Sequence, residues 1–304
     1  MGLRLVVSVI INASAGTVAK AESRLAPAAV EEAFRVAGVH PEIHYVDGAE
    51  IGQHVRAALQ KRPEAIVVGG GDGTLSTAAG ILADTGVRFG VLPFGTLNHF
   101  SKDLQIPDDL SQAVAVIAEG NVRQIDVAEV NGQVFLNNCS IGAYPVAVRR
   151  RDELRKYHGH GKWRAMTLAW IEVLRDLRRF PVMMTLDGRP ISRRTPLVLI
   201  SNNRYAASLF SRNLREQMDT GELWVYTTRC HRVFPLVRLI FAAALGRMDE
   251  AKGFESWPAK DAAVVLAGTS VKLGMDGEVS EFQLPLRFRS RPGALLVLAP
   301  SPKK

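Results

Sequence analysis

The sequence predicts a two-part molecule: an α/β half built on a parallel sheet, then an all-β half with helical insertions. Three observations lead there. Up to Gly120, unbroken apolar strands alternate with helix-length segments, the pattern of a parallel sheet covered on both faces. Beyond Gly120, strand pairs flank Asn131-Gly132 and Asp187-Gly188, dipeptides that favour tight hairpins. Glycine-bearing polar turns also follow three of the early strands.

In chain order, "LRLVVSVIIN" is a buried strand and residues 19 to 37 have helical spacing, closed by Gly38. "PEIHYVD" is a strand, and residues 49 to 61 are a helix ended by Pro63. "EAIVVGG" is a strand, 74 to 83 a helix, "RFGVLPFG" a strand, and 109 to 119 a helix stopping at Gly120. Then "VRQIDVAEVNGQVFLNNCSIG" and "VMMTLDGRPISRRTPLVLISNN" each read as two strands about an Asx-Gly turn. Further strands are expected at 222 to 228, 262 to 274 and 282 to 298, with helical insertions near 146 to 179 and 232 to 246. The domain boundary is expected near 120 to 126, dividing the chain into 1–123 and 124–304.

Composition narrows the class. The chain has 304 residues, 47% of them hydrophobic and 22% charged, a globular balance. No apolar run reaches the roughly 18 residues that a membrane-crossing helix needs, and the N-terminus reads as a buried strand of a cytoplasmic protein. Cys139 and Cys230 lack Cys or His neighbours at metal-ligand spacing and read as reduced thiols. Net charge is +8, and residues 149 to 179 hold ten Lys/Arg against four Asp/Glu. Such a patch calls for an anionic partner. Nucleic acid is disfavoured, because no helix-turn-helix, zinc-finger or aromatic-basic strand motif is present. Trp163, Met166, Trp170, Val173, Leu174 and Leu177 lie on one helical face, which suits either packing on the sheet or a bilayer interface. His158 and His160 sit in a glycine-rich loop context, and the Asn pairs at 137 and 202 suit either strand ends or ligand contact.

The chemistry concentrates in "VVGGGDGTL". A strand that ends in glycines and turns into a helix brings backbone N–H groups and the helix's positive end to an anion. Glycine supplies close approach and access to positive φ. Neither a G-x-x-x-x-G-K-S/T nor a G-x-G-x-x-G spacing is present, and a tight turn with Thr74 as helix N-cap is the plain alternative. Asp72 argues for a ligand, because a carboxylate among phosphate-binding amides makes sense with a divalent cation between them. "VLPFGTLNHF" supplies a second such turn with Gly95, Thr96 and Asn98, and Asn12 and Gly16 a third. In an open parallel sheet all three face the crevice at the strands' C-terminal ends.

"VVGGGDGTL", "GVLPFGTLNHFSKDL", "FLNNCSIG" and "MDGE" together resemble the bacterial diacylglycerol kinase-like lipid kinases, relatives of the sphingosine kinases. NAD kinases and phosphofructokinases share only the first motif. The resemblance implies an N-terminal α/β domain of the NAD kinase/phosphofructokinase type and a C-terminal β-sandwich, with the last strand, "LLVLAP", returning to the first domain. It implies transfer of phosphate from ATP, with Mg2+, to a lipid hydroxyl. ATP would be held by Asn12, Gly70, Gly71, Asp72, Gly73, Thr74, Gly95 and Thr96. Asp72 and Asp219 would serve the metal, and Asp276 and Glu278 the catalysis, with Asp276 as general base. A peripheral association with an anionic membrane surface follows, for which Arg149, Arg150, Arg151 and Trp163 are the candidates. A homodimer is compatible with the sequence, and a soluble NAD kinase-like phosphotransferase is the alternative activity. Three positions depart from the family pattern: "NASAG" for N-P-x-x-G, Thr77 for a Glu, and "SIGAYP" for S-x-G-F-D-A, the last where the lipid pocket is expected to begin.

Overall fold

The computed structural model describes residues 7–15, 27–142, 145–146, 179–205, 215, 217–228 and 254–301. The expected helical insertions, His158, His160, Gly16, Cys230, Arg149, Arg150, Arg151 and Trp163 lie outside these residues. The chain divides into two compact units, Met1–Val127 with Pro292–Lys304, and Ala128–Arg291.

In the first unit, strands β1 (Val7–Asn12), β2 (Glu42–Val46), β3 (Ala65–Gly70) and β4 (Arg88–Pro93) form a parallel sheet in the order β2-β1-β3-β4. The end of β16 (Leu286–Leu298) joins it through Leu296 and Val297, parallel to β4. Every residue of β3 is buried, so an apolar strand with no alternation is what the sequence needed there. Helices α1 (Pro27–Val36), α2 (Ile51–Gln60), α3 (Asp72–Leu82) and α5 (Leu110–Glu119) bury Phe34, Val55, Leu75 and Ile117 among others. Local chemistry sets their ends. Asp109 caps α5 by accepting the Gln112 N–H at 3.0 Å, and Gly120, at φ +71°, closes it. A short helix, α4 (His99–Asp103), stands where a plain turn was read.

In the second unit two sheets pack face to face. One has the order β12-β11-β10-β7-β14-β15: Phe254–Ala259, Leu223–Thr228, Leu197–Asn202, Asn138–Gly142, Ser270–Met275 and Glu278–Gln283. The other sets the first half of β16 beside β13 (Asp261–Val265), β8 (Phe180–Leu186) and β9 (Arg189–Thr195), and β5 (Val122–Val130) pairs with β6 (Gln133–Phe135) and β16. The inner faces meet in one apolar core that includes Phe135, Ile141, Met184, Val225, Val264, Leu273 and Phe288.

Both expected hairpins are present, but the second strand of each is split. The chain crosses between the two sheets at 136–137, between β6 and β7, and at Pro196, between β9 and β10. The run expected at 262 to 274 is likewise two strands, β13 and β14, and β12 had no expected counterpart.

Candidate active site

The order β2-β1-β3 places a topological switch between β1 and β3, the point where an open parallel sheet has its ligand crevice. Asn12 ends β1 and Gly70 ends β3, on either side of that point. The Asn12 side-chain amide donates to Thr74 Oγ1 at 2.9 Å. Its carbonyl oxygen accepts the Ser14 N–H and hydroxyl at 3.0 and 2.8 Å. The first turn is thereby tied to the third.

The glycines serve close approach rather than unusual torsions. None of Gly70, Gly71, Gly73 and Gly95 has a positive φ. A Cβ on Gly95 would lie 2.6 Å from the Gly71 Cα and 2.6 Å from Asn98 Oδ1. A Cβ on Gly70 would lie 2.5 Å from the Thr74 side chain. The two glycine turns therefore touch backbone to backbone, which no larger residue permits at position 95.

Helix α3 starts at Asp72, two residues before the expected start, with Gly71 as its N-cap. Thr74 is therefore not the cap; its hydroxyl takes the Asn12 amide instead. Gly71 has no side chain to satisfy the first helical N–H groups, and no side-chain cap bond is made. Residues 71 to 74 and Asn12 are partly exposed at the end of an otherwise buried strand, and Thr96 is exposed. Uncapped N–H groups and a helix dipole at an accessible strand end are suited to receive an anion. Asp72 Oδ1 accepts the Phe100 N–H at 3.1 Å, tying α3 to α4. The departing residue Thr77 is exposed and donates its hydroxyl to the Gly73 carbonyl.

In the second unit, "MDGE" forms the tight turn between β14 and β15. Asp276 (φ +46°) and Gly277 (φ +92°) share the backbone of Asn131-Gly132 and Asp187-Gly188. The three Asx side chains also do similar work. Asn131 accepts the Arg287 N–H, and Asp187 accepts those of Lys260 and Asp261. Asp276 accepts three: Leu136 at 2.7 Å on Oδ2, and Asn137 and Asn138 at 2.8 and 3.1 Å on Oδ1. Burial distinguishes it, at 9% exposure, while Asn131 and Asp187 are exposed. Glu278, two residues on, is exposed, as is Asp219.

A residue that sequence reasoning missed grips the same crossing from its other side. Arg215 is 1% exposed. Its guanidinium donates to the carbonyls of Leu136 and Asn202 at 2.6 and 3.1 Å and to Asn137 Oδ1 at 3.0 Å. Asn202 Nδ2 also donates to the Leu136 carbonyl, and Asn138 Nδ2 donates to the Tyr205 hydroxyl at 2.7 Å. Asn137, Asn138 and Asn202 thus tie this crossing to its neighbours, while Asn203 donates its side-chain amide to the Thr220 hydroxyl at 2.9 Å. Cys139 beside it is fully buried; burial first, then the Asp276 carboxylate, push its thiol up, so it stays protonated and unreactive.

A pocket of about 330 Å³ lies at the opposite end of β7 and β14, lined by Ile141, Gly142, Val146, Phe180, Leu266 and Val271 among others. Gly142 (φ +97°) is required there, since a Cβ would meet the Pro196 carbonyl oxygen at 2.3 Å. The departing "SIGAYP" contributes to this lining. Among the described residues no three His, Cys, Asp or Glu gather as a metal site, and no helix is long and apolar enough to cross a membrane.

Residues 6–130 match the family described as the diacylglycerol kinase catalytic domain. Over 137 residues the chain is 31% identical to a diacylglycerol kinase of Staphylococcus carnosus, covering 44% of each protein. Over 183 residues it is 30% identical to that of Bacillus subtilis, covering 57% of this chain and 58% of the other. These two alignments span less than two-thirds of the relatives. A Staphylococcus aureus diacylglycerol kinase aligns at 24% identity over 80% of this chain and 77% of its own. Two Bacillus anthracis crystal structures share the fold. A candidate diacylglycerol kinase has a TM-score of 0.77 at 23% identity, over 99% of this chain and 97% of that one. A diacylglycerol kinase has a TM-score of 0.71 at 20% identity, over 99% and 98%.

Proposed function

We propose that this chain, which belongs to the bacterial diacylglycerol kinase-like family, transfers the γ-phosphate of ATP to a hydroxyl of diacylglycerol or a related membrane lipid. The observation that carries this reading is the joining of the three turns at the switch point: Asn12 on Thr74, Gly71 against Gly95, and Asp72 on Phe100.

The open N–H groups at the start of α3 receive phosphate oxygens, and the Gly71–Gly95 contact keeps side chains out of their path. Thr74, Thr96 and Asn12 line the same opening. Mg2+ held chiefly by substrate phosphates needs only one or two protein carboxylates. Asp72 suits that, with one oxygen on the Phe100 N–H and the other turned to no hydrogen-bond partner among the described residues. Asp219, exposed in the second unit, is the other candidate. When bound, the cation neutralises charge that develops on the transferring phosphate.

Transfer then needs a proton acceptor. The lipid oxygen forms the new P–O bond as the bond to the ADP oxygen breaks, and the hydroxyl proton passes to a carboxylate. Asp276 is the candidate base and Glu278 the supporting carboxylate. The three N–H bonds on Asp276 favour a second reading, in which Asp276 fixes the turn and exposed Glu278 takes the proton. The two readings part in experiment. If Asp276 is the base, Asp276→Asn lowers turnover by roughly 10²–10⁴ and Glu278→Gln does less. If Glu278 is the base, the larger loss of turnover follows Glu278→Gln, and Asp276→Asn acts mainly by lowering the melting temperature.

The function itself is tested by incubating the purified protein with γ-labelled ATP, Mg2+ and a total bacterial lipid extract, then identifying the labelled product by mass spectrometry. A phosphorylated lipid is the expected product. Label recovered on NAD and on no lipid would overturn the reading.

A further inference from the structure

Of the fully buried side chains among the described residues, Arg215 is one of the largest, at 1% exposure. A guanidinium keeps its charge inside a protein, so burying one needs acceptors in fixed places. Here three bonds go to neutral oxygens: the Leu136 and Asn202 carbonyls and Asn137 Oδ1. The Leu136 carbonyl and the Asn137 N–H are the two ends of one peptide group, and a trans peptide points them in opposite directions. Its oxygen accepts from Arg215 at 2.6 Å, and its N–H donates to Asp276 Oδ1 at 2.8 Å. A buried cation and a buried carboxylate therefore stand on either side of a single peptide, roughly 7 Å apart by these two bonds and standard peptide dimensions.

The neighbouring peptide repeats the arrangement. Asn202 donates its backbone N–H to the Asn137 carbonyl at 3.0 Å, and the Asn138 N–H of that same peptide donates to Asp276 Oδ1 at 3.1 Å. Hydrogen bonds in series polarise one another, and a low local dielectric strengthens each. A carbonyl drawn toward a cation makes its own N–H a better donor. Arg215 thus fixes the plane of the peptide aimed at Asp276 and adds positive character where the carboxylate sits. The turns at Asn131 and Asp187 have the same backbone and hold with exposed side chains. Turn geometry alone therefore does not call for a buried cation behind the 276 turn.

We propose that Arg215 is a positioning residue for phosphate transfer: acting through the Leu136–Asn137 peptide, it holds the Asp276 carboxylate ionised and in one place at the β14–β15 turn. Its kinetic consequence rests on the kinase reading. It applies whether Asp276 or Glu278 takes the proton, because both stand at that turn.

The test compares Arg215→Gln, Arg215→Lys and Val264→Ala with wild type. Val264 is a buried core residue on the facing sheet, so its variant supplies a loss of stability away from the turn. Arg215→Gln removes the charge and is expected to lower kcat by on the order of 100-fold, the cost of a small misplacement, with KM for ATP unchanged. Arg215→Lys keeps the charge without the planar fork and should lie between, about threefold to tenfold below wild type. Val264→Ala, assayed below its melting temperature, should keep the wild-type kcat. A second readout needs neither ATP nor lipid. The amide proton resonances of Leu136, Asn137 and Asn138 should move upfield in Arg215→Gln, as their bonds to the carboxylate weaken, and stay in place in Val264→Ala. If they move so while wild type phosphorylates no lipid, the kinase reading fails and the positioning of Asp276 stands. Should Arg215→Gln not fold, Arg215→Lys carries both readouts. Wild-type kcat in the folded Arg215 variants, an equal fall in Val264→Ala, a loss that lies in KM for ATP instead, or unmoved amide resonances would each overturn the proposal.

Discussion

Gly95 holds its position for a steric reason, its close contact with the backbone of Gly71, and the asymmetry between the two positions can be tested one residue at a time. A Cβ at 95 meets backbone at 2.6 Å, whereas a Cβ at 71 meets the Gly95 Cα at 3.4 Å. Gly95→Ala is therefore expected to destabilise the first unit by about 1–3 kcal/mol, the usual cost of overpacking, and to weaken ATP binding. Gly71→Ala should leave stability within about 0.5 kcal/mol, the range of an unstrained substitution. Calorimetric melting with and without ATP separates them; equal melting temperatures would remove the steric account. Asp276 carries the opposite lesson. As a dipeptide, Asp-Gly is a turn signal, and the turn is what forms. That its carboxylate would collect three N–H groups from a crossing nearly 140 residues earlier had no local sign.

At the scale of elements, strands and their turns were readable wherever the cause is local. Unbroken apolar runs gave β1, β3 and β4, Asx-Gly pairs gave the hairpin turns, and Gly38 and Gly120, both at positive φ, mark the ends of α1 and α5. The splits at 136–137 and Pro196 were not readable, because an apolar alternation continues while the chain passes from one sheet to the other. Helix α3 began earlier than expected because glycines, read as loop, are held helical by the turns around them. In the site, the three glycine turns were legible and Arg215 was not. A single basic residue in "NLREQ" looks solvated, and only the fold puts it at 1% exposure. Its guanidinium and the Asp276 carboxylate hold the 136–138 crossing from the carbonyl and N–H sides. The Leu136 carbonyl keeps the Asn202 amide, so Arg215→Met leaves the Asn202 carbonyl and Asn137 Oδ1 without this donor and should cost at least about 2 kcal/mol, since each buried acceptor left unpaired costs about 1–3 kcal/mol. Chemical denaturation measures this directly, and a variant as stable as wild type would show that the clamp contributes nothing.

The chain has an α/β unit whose switch point carries an uncapped helix start and a sandwich unit that carries a buried carboxylate turn and an apolar pocket. A nucleotide turn alone would suit many phosphotransferases. A sandwich with an apolar pocket suits an apolar acceptor, in keeping with the lipid kinase reading proposed above. The chain's departures from the family pattern fall unevenly. Asn12 and Thr77 make local hydrogen bonds, while Ile141, Gly142 and Pro145 of "SIGAYP" line the pocket, so acceptor choice is where this chain is expected to differ from the pattern it resembles. The central claim, that the glycine turn with Asp72 drives phosphate onto a lipid, is tested most directly by γ-labelled ATP with diacylglycerol in mixed vesicles, comparing wild type with Asp72→Ala at matched melting temperature. Wild type should yield labelled phosphatidic acid or the phosphate of a close lipid relative, and Asp72→Ala should be slower by on the order of 100-fold or more, the usual loss for one charge-stabilising group. A folded Asp72→Ala protein that phosphorylates lipid at the wild-type rate would contradict the claim.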